Sequence, residues 1–470
     1  MGVGDFLKPK MVSALEFEPT PCQEKLFDAL AEFMTSNGDD TILVVNGFAG
    51  TGKTSAIAAF VRTIKEFKTN VVLLAPTGRA AKVLSTYSDS RAYTIHKHIY
   101  RQKSMKDGIG LFTLNMNLNK ETVYIVDEAS LISNNSYEQS AFGSGHLLDD
   151  LVDFVRSNYG NRLIIIGDSA QLPPVGMQLS EALDPLHLEK YGRLIYVKMT
   201  SVVRQAEASG ILINATSVRN IIDSGKSERP SLFDHGFKDV KVIGGGEILE
   251  ELNNCYEKYG MDNTLVLCRS NKRANRYNQG IRGKILYREE QINKGDKVMI
   301  VKNCYQFLDN VEETDFIANG DVAEILKIGK YETRYGLNYA EATLKFSDYN
   351  ELEIKAKVVL DTLTSEGASL SSDDQRRLFA EIMEDYSHIS QKRKRIIAVR
   401  EDKYFNALQI KFSSAVTCHK SQGGQWKAIF IDNPFWREDF EMEDLKWLYT
   451  AITRATDIVY FVNFDKNLFK

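Results

Sequence analysis

No uninterrupted apolar run in the sequence approaches the roughly 20 residues of a membrane span, and the first residues lack the long apolar stretch of a secretory leader. These absences lead to the expectation of a soluble, cytoplasmic protein with no membrane partner. Cysteine is scarce: Cys22, Cys255, Cys268, Cys304 and Cys418 are odd in number, scattered, and form no C-x-x-C pair. That pattern argues for a reducing compartment and against a structural zinc site, and the thiols read as core or incidental residues. Neither sign of charge dominates, with a formal net charge of −4 and a pI of about 6.1. Such a balance neither demands nor excludes nucleic acid, because a basic groove can hide inside a balanced total. Internal repeats and low-complexity tails are also missing. Length is what the chain has: 470 residues, 43% of them hydrophobic, are too many for one core, so two or more domains are expected.

Near the front stands "VVNGFAGTGKTSAIAAF", residues 44–60. Gly47 to Thr54 fit G-x-x-x-x-G-K-[ST], with "TILVVN" before them reading as a buried strand and "SAIAAFVRTIKEF" after them as a helix. The motif needs that context. Gly47, Ala49, Gly50, Thr51, Gly52 and Ser55 belong to a loop whose backbone N–H groups turn inward around phosphates at a helix N-terminus. Lys53 would reach the terminal phosphates of ATP, and Thr54 would ligate Mg²⁺. A second apolar run, "ETVYIVDEAS", ends in Asp127 and Glu128 at a strand's carboxyl end, where open α/β sheets place their sites. Asp127 would hold Mg²⁺ through water, and Glu128 would orient and deprotonate the attacking water. A strand ending in two solvated acids would look the same in isolation; the phosphate loop upstream decides between them. A third strand, "RLIIIGDSAQLPPVG", leaves by Asp168 and Gln171, and a glutamine there can sense the γ-phosphate.

Read in order, "TPCQEKLFDAL", "GFAGTGKTS", "APTGRAAK", "TIHKHIY", "VDEAS", "GDSAQLPPVG", "VVRQ", "VTCHKSQGGQW" and "LYTAITRAT" run from about residue 20 to residue 457. In this series the chain resembles superfamily 1B helicases of the RecD, Dda and Pif branch. The resemblance implies an α/β fold of two RecA-like P-loop cores, with ATP in the cleft between them and single-stranded nucleic acid across their top. It places Gln23 where an adenine-reading glutamine lies, just before the first helix, and makes Arg204 and Arg454 the two arginines aimed at the γ-phosphate. It brings Gly424 and Gln425 near the nucleotide. Pro76, Thr77, Gly78, Arg79, Thr94 and His96 in the first core, with Thr417, His419, Lys420 and Ser421 in the second, become the phosphate-gripping set, able to position a strand without reading its sequence. A lone His is more often a satisfied core residue; the motif settings of His96 and His419 favour the strand, and neither has a metal-ligand partner at suitable spacing.

Residues 1–200 are expected as the first core, 201–290 and 403–470 as the second. Between about 100 and 119 the α/β rhythm breaks at Asp107-Gly108, a turn pair; the branch carries a strand-splitting pin there, while a plain surface hairpin reads identically. From 291 to 402, "DKVMIVKN", "GDVAEILKI", "AEATLKFSD" and "ELEIKAKVVL" alternate as short antiparallel strands, where the branch inserts an SH3-like β-barrel. An added amphipathic helix is expected to start at Ser372, with Gln375 completing a capping box, and to pack Leu378, Phe379, Ile382, Met383 and Tyr386 on the barrel or its neighbour. The basic run "QKRKR" reads as a solvated face or a DNA contact.

The expectation is therefore an ATP-dependent DNA helicase with 5′ to 3′ polarity, active in replication, repair or recombination on single-stranded DNA and duplex junctions. An RNA-directed motor of the same superfamily is one rival, since phosphate-gripping motifs do not inspect the 2′-OH. A binding module without turnover is another, opposed by the presence of Lys53, Asp127, Glu128, Gln171, Arg204 and Arg454 together.

Overall fold

The computed structural model describes residues 3–15, 17–36, 40–102, 112–134, 143–201, 209–304, 317–349, 351–435 and 439–470. The apolar run before the phosphate loop forms β1 (Ile42–Gly47), buried along its whole length. Its alternate side chains feed two clusters: Leu43 and Val45 pack with Phe27, Ile57 and Phe60, while Ile42 and Val44 pack with Leu151, Phe154 and Leu183. A strand apolar on both faces suits a parallel sheet covered by helices on each side. After it come β2 (Asn70–Ala75), β3 (Ala92–Thr94), β4 (Tyr100–Gln102), β5 (Phe112–Leu114), β6 (Thr122–Val126), β7 (Arg162–Gly167) and β8 (Leu194–Met199). All but β4 and β5 join one parallel sheet in the order β3-β2-β6-β7-β1-β8. The carboxyl ends of β6, β7 and β1 consequently emerge side by side, which gathers both acidic exits next to the phosphate loop.

β4 and β5 pair antiparallel, Tyr100 opposite Leu114 and Gln102 opposite Phe112. This is the base of the expected hairpin insert; its turn at Asp107-Gly108 lies outside the described residues. An N-terminal helix, Val3–Ser13, seats Leu7 and Met11 against Leu26 and Leu30 of the following helix, Pro21–Thr35.

Beyond residue 209 the chain supplies β9 (Val240–Ile243) and β10 (Thr264–Cys268), then departs into β11 (Lys297–Ile300), β12 (Val322–Arg334), β13 (Leu337–Phe346), β14 (Leu352–Val359) and β15 (Leu408–Phe412). It returns with β16 (Ala415–Thr417), β17 (Trp426–Asp432) and β18 (Ala455–Val462). The second sheet, β16-β10-β17-β18-β9, is again parallel. The two-faced pattern recurs: Ile429 and Ile431 of β17 join one cluster, Ala428 and Phe430 the other.

β11 to β15 close into a small barrel, antiparallel except where β14 meets β15. Closure draws in Leu408–Phe412, past the expected insert boundary at residue 402, because an open sheet edge is left without β15. The added helix runs from Ser372 to Asp385, and its cap is Ser371 rather than Ser372: the Ser371 hydroxyl accepts from the Asp374 N–H at 3.0 Å. The same hydroxyl donates to the Asp374 carboxylate at 2.7 Å, while Gln375 donates to the Leu370 carbonyl at 2.9 Å. Leu378 and Ile382 are buried against Leu337, Tyr339 and Val359 of the barrel, with Phe379, Met383 and Tyr386 beside them. The basic run forms the first turn of a second helix, Lys392–Glu401, that sequence periodicity did not reveal. Its Lys392, Arg393 and Lys394 are exposed, and Arg395 folds back onto the carbonyls of Ser387 and Ile389. All five cysteines are free and buried. No helix among the described residues is long and apolar enough to cross a membrane.

Candidate nucleotide cleft and nucleic-acid groove

The phosphate loop turns through Gly50 and Gly52, both at φ 74°, a left-handed conformation that favours glycine. Gly52 ends the loop as N-cap of helix Lys53–Glu66. Lys53 folds over the loop and donates to the Gly47 carbonyl and, at 3.0 Å, to that of Phe48. Any Cβ at Gly47 would meet Lys53 Cδ at 2.5 Å, so the glycine clears the path of the lysine stem. Thr51 is buried with its hydroxyl donating to the Phe48 carbonyl at 2.7 Å.

Opposite the loop stand the exits of β6 and β7. Asp127 is half-buried; burial of its carboxyl and the neighbouring Glu128 charge hold it above the ordinary range. Glu128 takes φ 53°, ψ 39°, a conformation costly for a residue with a Cβ and found where function constrains the backbone. Gln171 is 7% exposed, and its Oε1 has no hydrogen-bond partner although it lines the cleft. Thr54 and Asp127 share a pocket wall. A hydroxyl and a half-buried carboxylate are hard oxygen donors suited to Mg²⁺, which takes only one or two protein ligands and completes its shell with phosphates and water.

The other wall is the second core. Helix Met442–Ile452 packs into the junction, where Phe48, Ala170 and Leu172 of the first core share a cluster with Trp447, Leu448 and Ile452. Arg454, just past this helix, is 3% exposed; it donates to the Thr450 and Gly424 carbonyls, both at 3.2 Å, and the residue lines the same cleft as the phosphate loop. Gln425 and Gly423 line the cleft as well, whereas Gly424 is not part of the lining. Arg204 lies outside the described residues. Gln23 does not match its expected placement. It sits inside helix Pro21–Thr35, fully buried, its Oε1 accepting from the Thr20 N–H at 2.9 Å and its Nε2 donating to the Gly52 carbonyl at 3.3 Å. The amide thus closes a capping box and braces the phosphate loop.

A second concavity crosses the junction of first core, second core and barrel. Pro76, Thr77, Gly78, Arg79, Thr94, His96, His419 and Lys420, all expected strand contacts, line it together. Thr77 and Thr94 are helix N-caps, accepting from the N–H groups of Ala80 and Lys97 at 3.2 and 3.3 Å. Arg79 reaches across to the second core, its guanidinium carbon 3.8 Å from the Trp426 ring centroid. Burial lowers His96 to about 4, opposed by Asp150, and also lowers His419. Both imidazoles are therefore neutral near pH 7 and contribute hydrogen bonds rather than charge. Ser421 does not take its expected place: fully buried, it donates to the Cys418 carbonyl at 2.7 Å and is not part of the groove lining. Thr417 stands half-buried at the start of the same turn, outside the lining.

Sequence reasoning did not find the barrel's share. Asn319 accepts from Lys420 at 2.6 Å, Asp348 pairs with Lys82 at 3.0 Å, and Lys97 lies 3.6 Å over the Tyr349 ring, whose hydroxyl donates to Asp321 at 2.7 Å. No motif flags these residues, because only barrel closure brings them to the groove. Trp426 and Tyr449 were within quoted motifs, yet nothing in their spacing names their partners.

Two family models match the chain: an AAA domain over residues 23–220 and a UvrD-like helicase C-terminal domain over residues 412–462. Similar proteins include an uncharacterised protein of Methanocaldococcus jannaschii, 22% identical over 93% of this chain but only 38% of that protein's length. Another is the ATP-dependent DNA helicase Dda of Enterobacteria phage T4, 24% identical over 89% of this chain and 94% of Dda. Among solved structures, a Pif1 helicase from Bacteroides in complex with ADP-AlF3 and ssDNA is 16% identical, covering 97% of this chain and 95% of that one at a TM-score of 0.47.

Proposed function

We propose that the chain is an ATP-dependent DNA helicase moving 5′ to 3′ on single-stranded DNA; its motifs resemble those of superfamily 1B helicases, and it is similar to the DNA helicase Dda and to a UvrD-like helicase C-terminal domain. One observation carries this reading. The cleft that gathers Lys53, Thr54, Asp127, Glu128 and Gln171 from one parallel sheet faces Arg454 from the other, and a separate groove crosses the same junction. A change in separation of the cores therefore moves both sites at once.

In the proposed cycle the loop amides and Lys53 hold the triphosphate, and Thr54 and Asp127 would hold Mg²⁺. When bound, the ion neutralises charge on the phosphate oxygens. Glu128 accepts a proton from the attacking water as the water oxygen bonds to the γ-phosphorus and the bridging oxygen departs with ADP. Gln171, with its unsatisfied oxygen, accepts a hydrogen from that water and orients it. Arg454, now bonded only to neutral oxygens, turns to the γ-phosphoryl group, where an arginine contributes about 10³ to 10⁵ in rate in other nucleotidases. Arg204 is proposed as a second such arginine. Closure around ATP and opening after hydrolysis shift the grips of Thr77 and Arg79 against those of His419 and Lys420 along one strand.

Strand displacement with 5′-tailed and 3′-tailed DNA duplexes and with RNA duplexes tests the proposal. ATP-dependent release from the 5′-tailed DNA is expected; release from the 3′-tailed duplex alone overturns the polarity, and preference for RNA overturns the substrate.

A further inference from the structure

We propose that Tyr449 is a positioning residue whose hydroxyl couples strand binding in the groove to hydrolysis in the cleft; the inference rests on the helicase reading above. Tyr449 belongs to the second core, on helix Met442–Ile452, and is 1% exposed. Both hydrogen-bonding capacities of its hydroxyl are used, and both partners belong to the first core. It accepts from the N–H of Ala49 in the phosphate loop at 2.8 Å and donates to Asp168 Oδ2 at 2.7 Å. Asp168 is itself 1% exposed, with Oδ1 taken by the Ala170 N–H at 3.0 Å, and it opens the turn that carries Gln171. One hydroxyl thus ties the phosphate loop, the γ-phosphate-sensing turn and the second core.

The same stretch of helix holds the rest of the constellation. Thr450 accepts from the Leu172 N–H through its hydroxyl at 2.8 Å, and its carbonyl accepts from Arg454 Nε at 3.2 Å. From the groove side, the turn bearing His419 and Lys420 is joined to this helix by the Cys418 thiol, 3.7 Å from the Trp447 carbonyl, and to the first core by Gln422, which donates to the Leu172 carbonyl at 2.6 Å. A strand that draws this turn inward moves the helix, and the helix moves Tyr449. Hydrogen bonds of this length and buried setting weaken steeply with an ångström of displacement. The hydroxyl therefore reports one relative position of the cores to both phosphate-facing loops, which packing alone does with less directionality.

Tyr449→Phe removes the hydroxyl and keeps the ring in its packing. In ATPase assays of the full chain with saturating oligothymidylate, kcat is expected to fall about tenfold or more while KM for ATP stays within about twofold, the split that marks loss of an interaction made on the way to the transition state. The ratio of DNA-stimulated to DNA-free rate should fall with it. Asp168→Asn should reproduce part of the loss, and the double variant should lose little more than Tyr449→Phe alone, because the bond to Asp168 is already missing there. A stimulated kcat within about twofold of wild type overturns the assignment. So does an equal fall of the DNA-free and DNA-bound rates, the behaviour of a purely structural residue. A wild-type chain that hydrolyses ATP with DNA stimulation alongside an unaffected Tyr449→Phe refutes this inference alone. A wild-type chain without ATPase activity refutes the helicase reading itself.

Discussion

Arg79 joins the two cores at the floor of the groove, and replacing it separates two contributions that the geometry superimposes. Its guanidinium stacks on Trp426 at 3.8 Å and donates to the Gln425 carbonyl at 3.4 Å, while its edge lines the groove beside Thr77 and Lys420. Burial lowers its pKa, opposed by Asp348 and Asp262, but a guanidinium remains charged at any working pH. Arg79→Lys retains a cation and loses the flat stack. A desolvated cation–π contact is worth up to about 2 kcal/mol, so oligonucleotide binding is expected to weaken by up to about thirtyfold with the salt dependence unchanged. Arg79→Ala removes the proposed phosphate contact as well, and the slope of log K against log salt concentration should become shallower by about 0.7, the increment for one phosphate on a single strand. Fluorescence anisotropy of a labelled oligothymidylate over a sodium chloride series measures both quantities. An alanine variant with the wild-type slope would falsify the phosphate contact, and a lysine variant with wild-type affinity would remove the energetic role of the stack.

Lys53→Ala and Glu128→Gln should both abolish hydrolysis by different routes: the first also loses nucleotide affinity, the second retains it, and turnover near the wild-type rate in either contradicts the site. Gly424→Ala places a Cβ 2.5 Å from the Trp426 ring and 2.7 Å from Arg79 Nε. The forced shift should cost about 1–3 kcal/mol and weaken strand binding; an unchanged thermal midpoint together with unchanged affinity counts against it. Burial raises the Asp321 carboxyl from 3.8 to about 6. The folded chain then binds more protons than the unfolded one in that window, so this group makes stability fall as pH rises through it. Asp321→Asn, uncharged throughout, is expected to melt above wild type at neutral pH by up to about 3 kcal/mol, with the gap closing toward the acid end of the window. A gap independent of pH in thermal melts would remove burial as its cause.

Much of the catalytic side of the cleft was legible in order and spacing. The phosphate loop is a local device, built from glycines, one lysine and one threonine between a strand and a helix, and a contiguous stretch of sequence contains all of it. Asp127, Glu128 and Gln171 were legible for a related reason: each follows a largely apolar strand, and strands of one parallel sheet deliver their exits to one edge. The barrel was visible as a change of period from strands buried on both faces to alternating ones. Helix Lys392–Glu401 was not, because four consecutive basic residues in its first turn obscure any apolar stripe and oppose the helix dipole. The cap at Ser371 was misplaced by one residue because adjacent serines each have a polar side chain three positions on.

By itself the sequence determined which residues can bind phosphate, which strands are buried on both faces, and where the chain leaves the second core for a barrel; these depend on chemistry and periodicity within short segments. Only the tertiary structure decided that the Gln23 amide braces Gly52, that Ser421 faces its own turn, that Asp321 and Tyr349 of the barrel stand over Gly78, and that Tyr449 meets Ala49 and Asp168. Those partners come from elements far apart in sequence. Which donor meets which acceptor there depends on how helices and loops of different domains pack, and short-range pattern carries no record of that distance or direction.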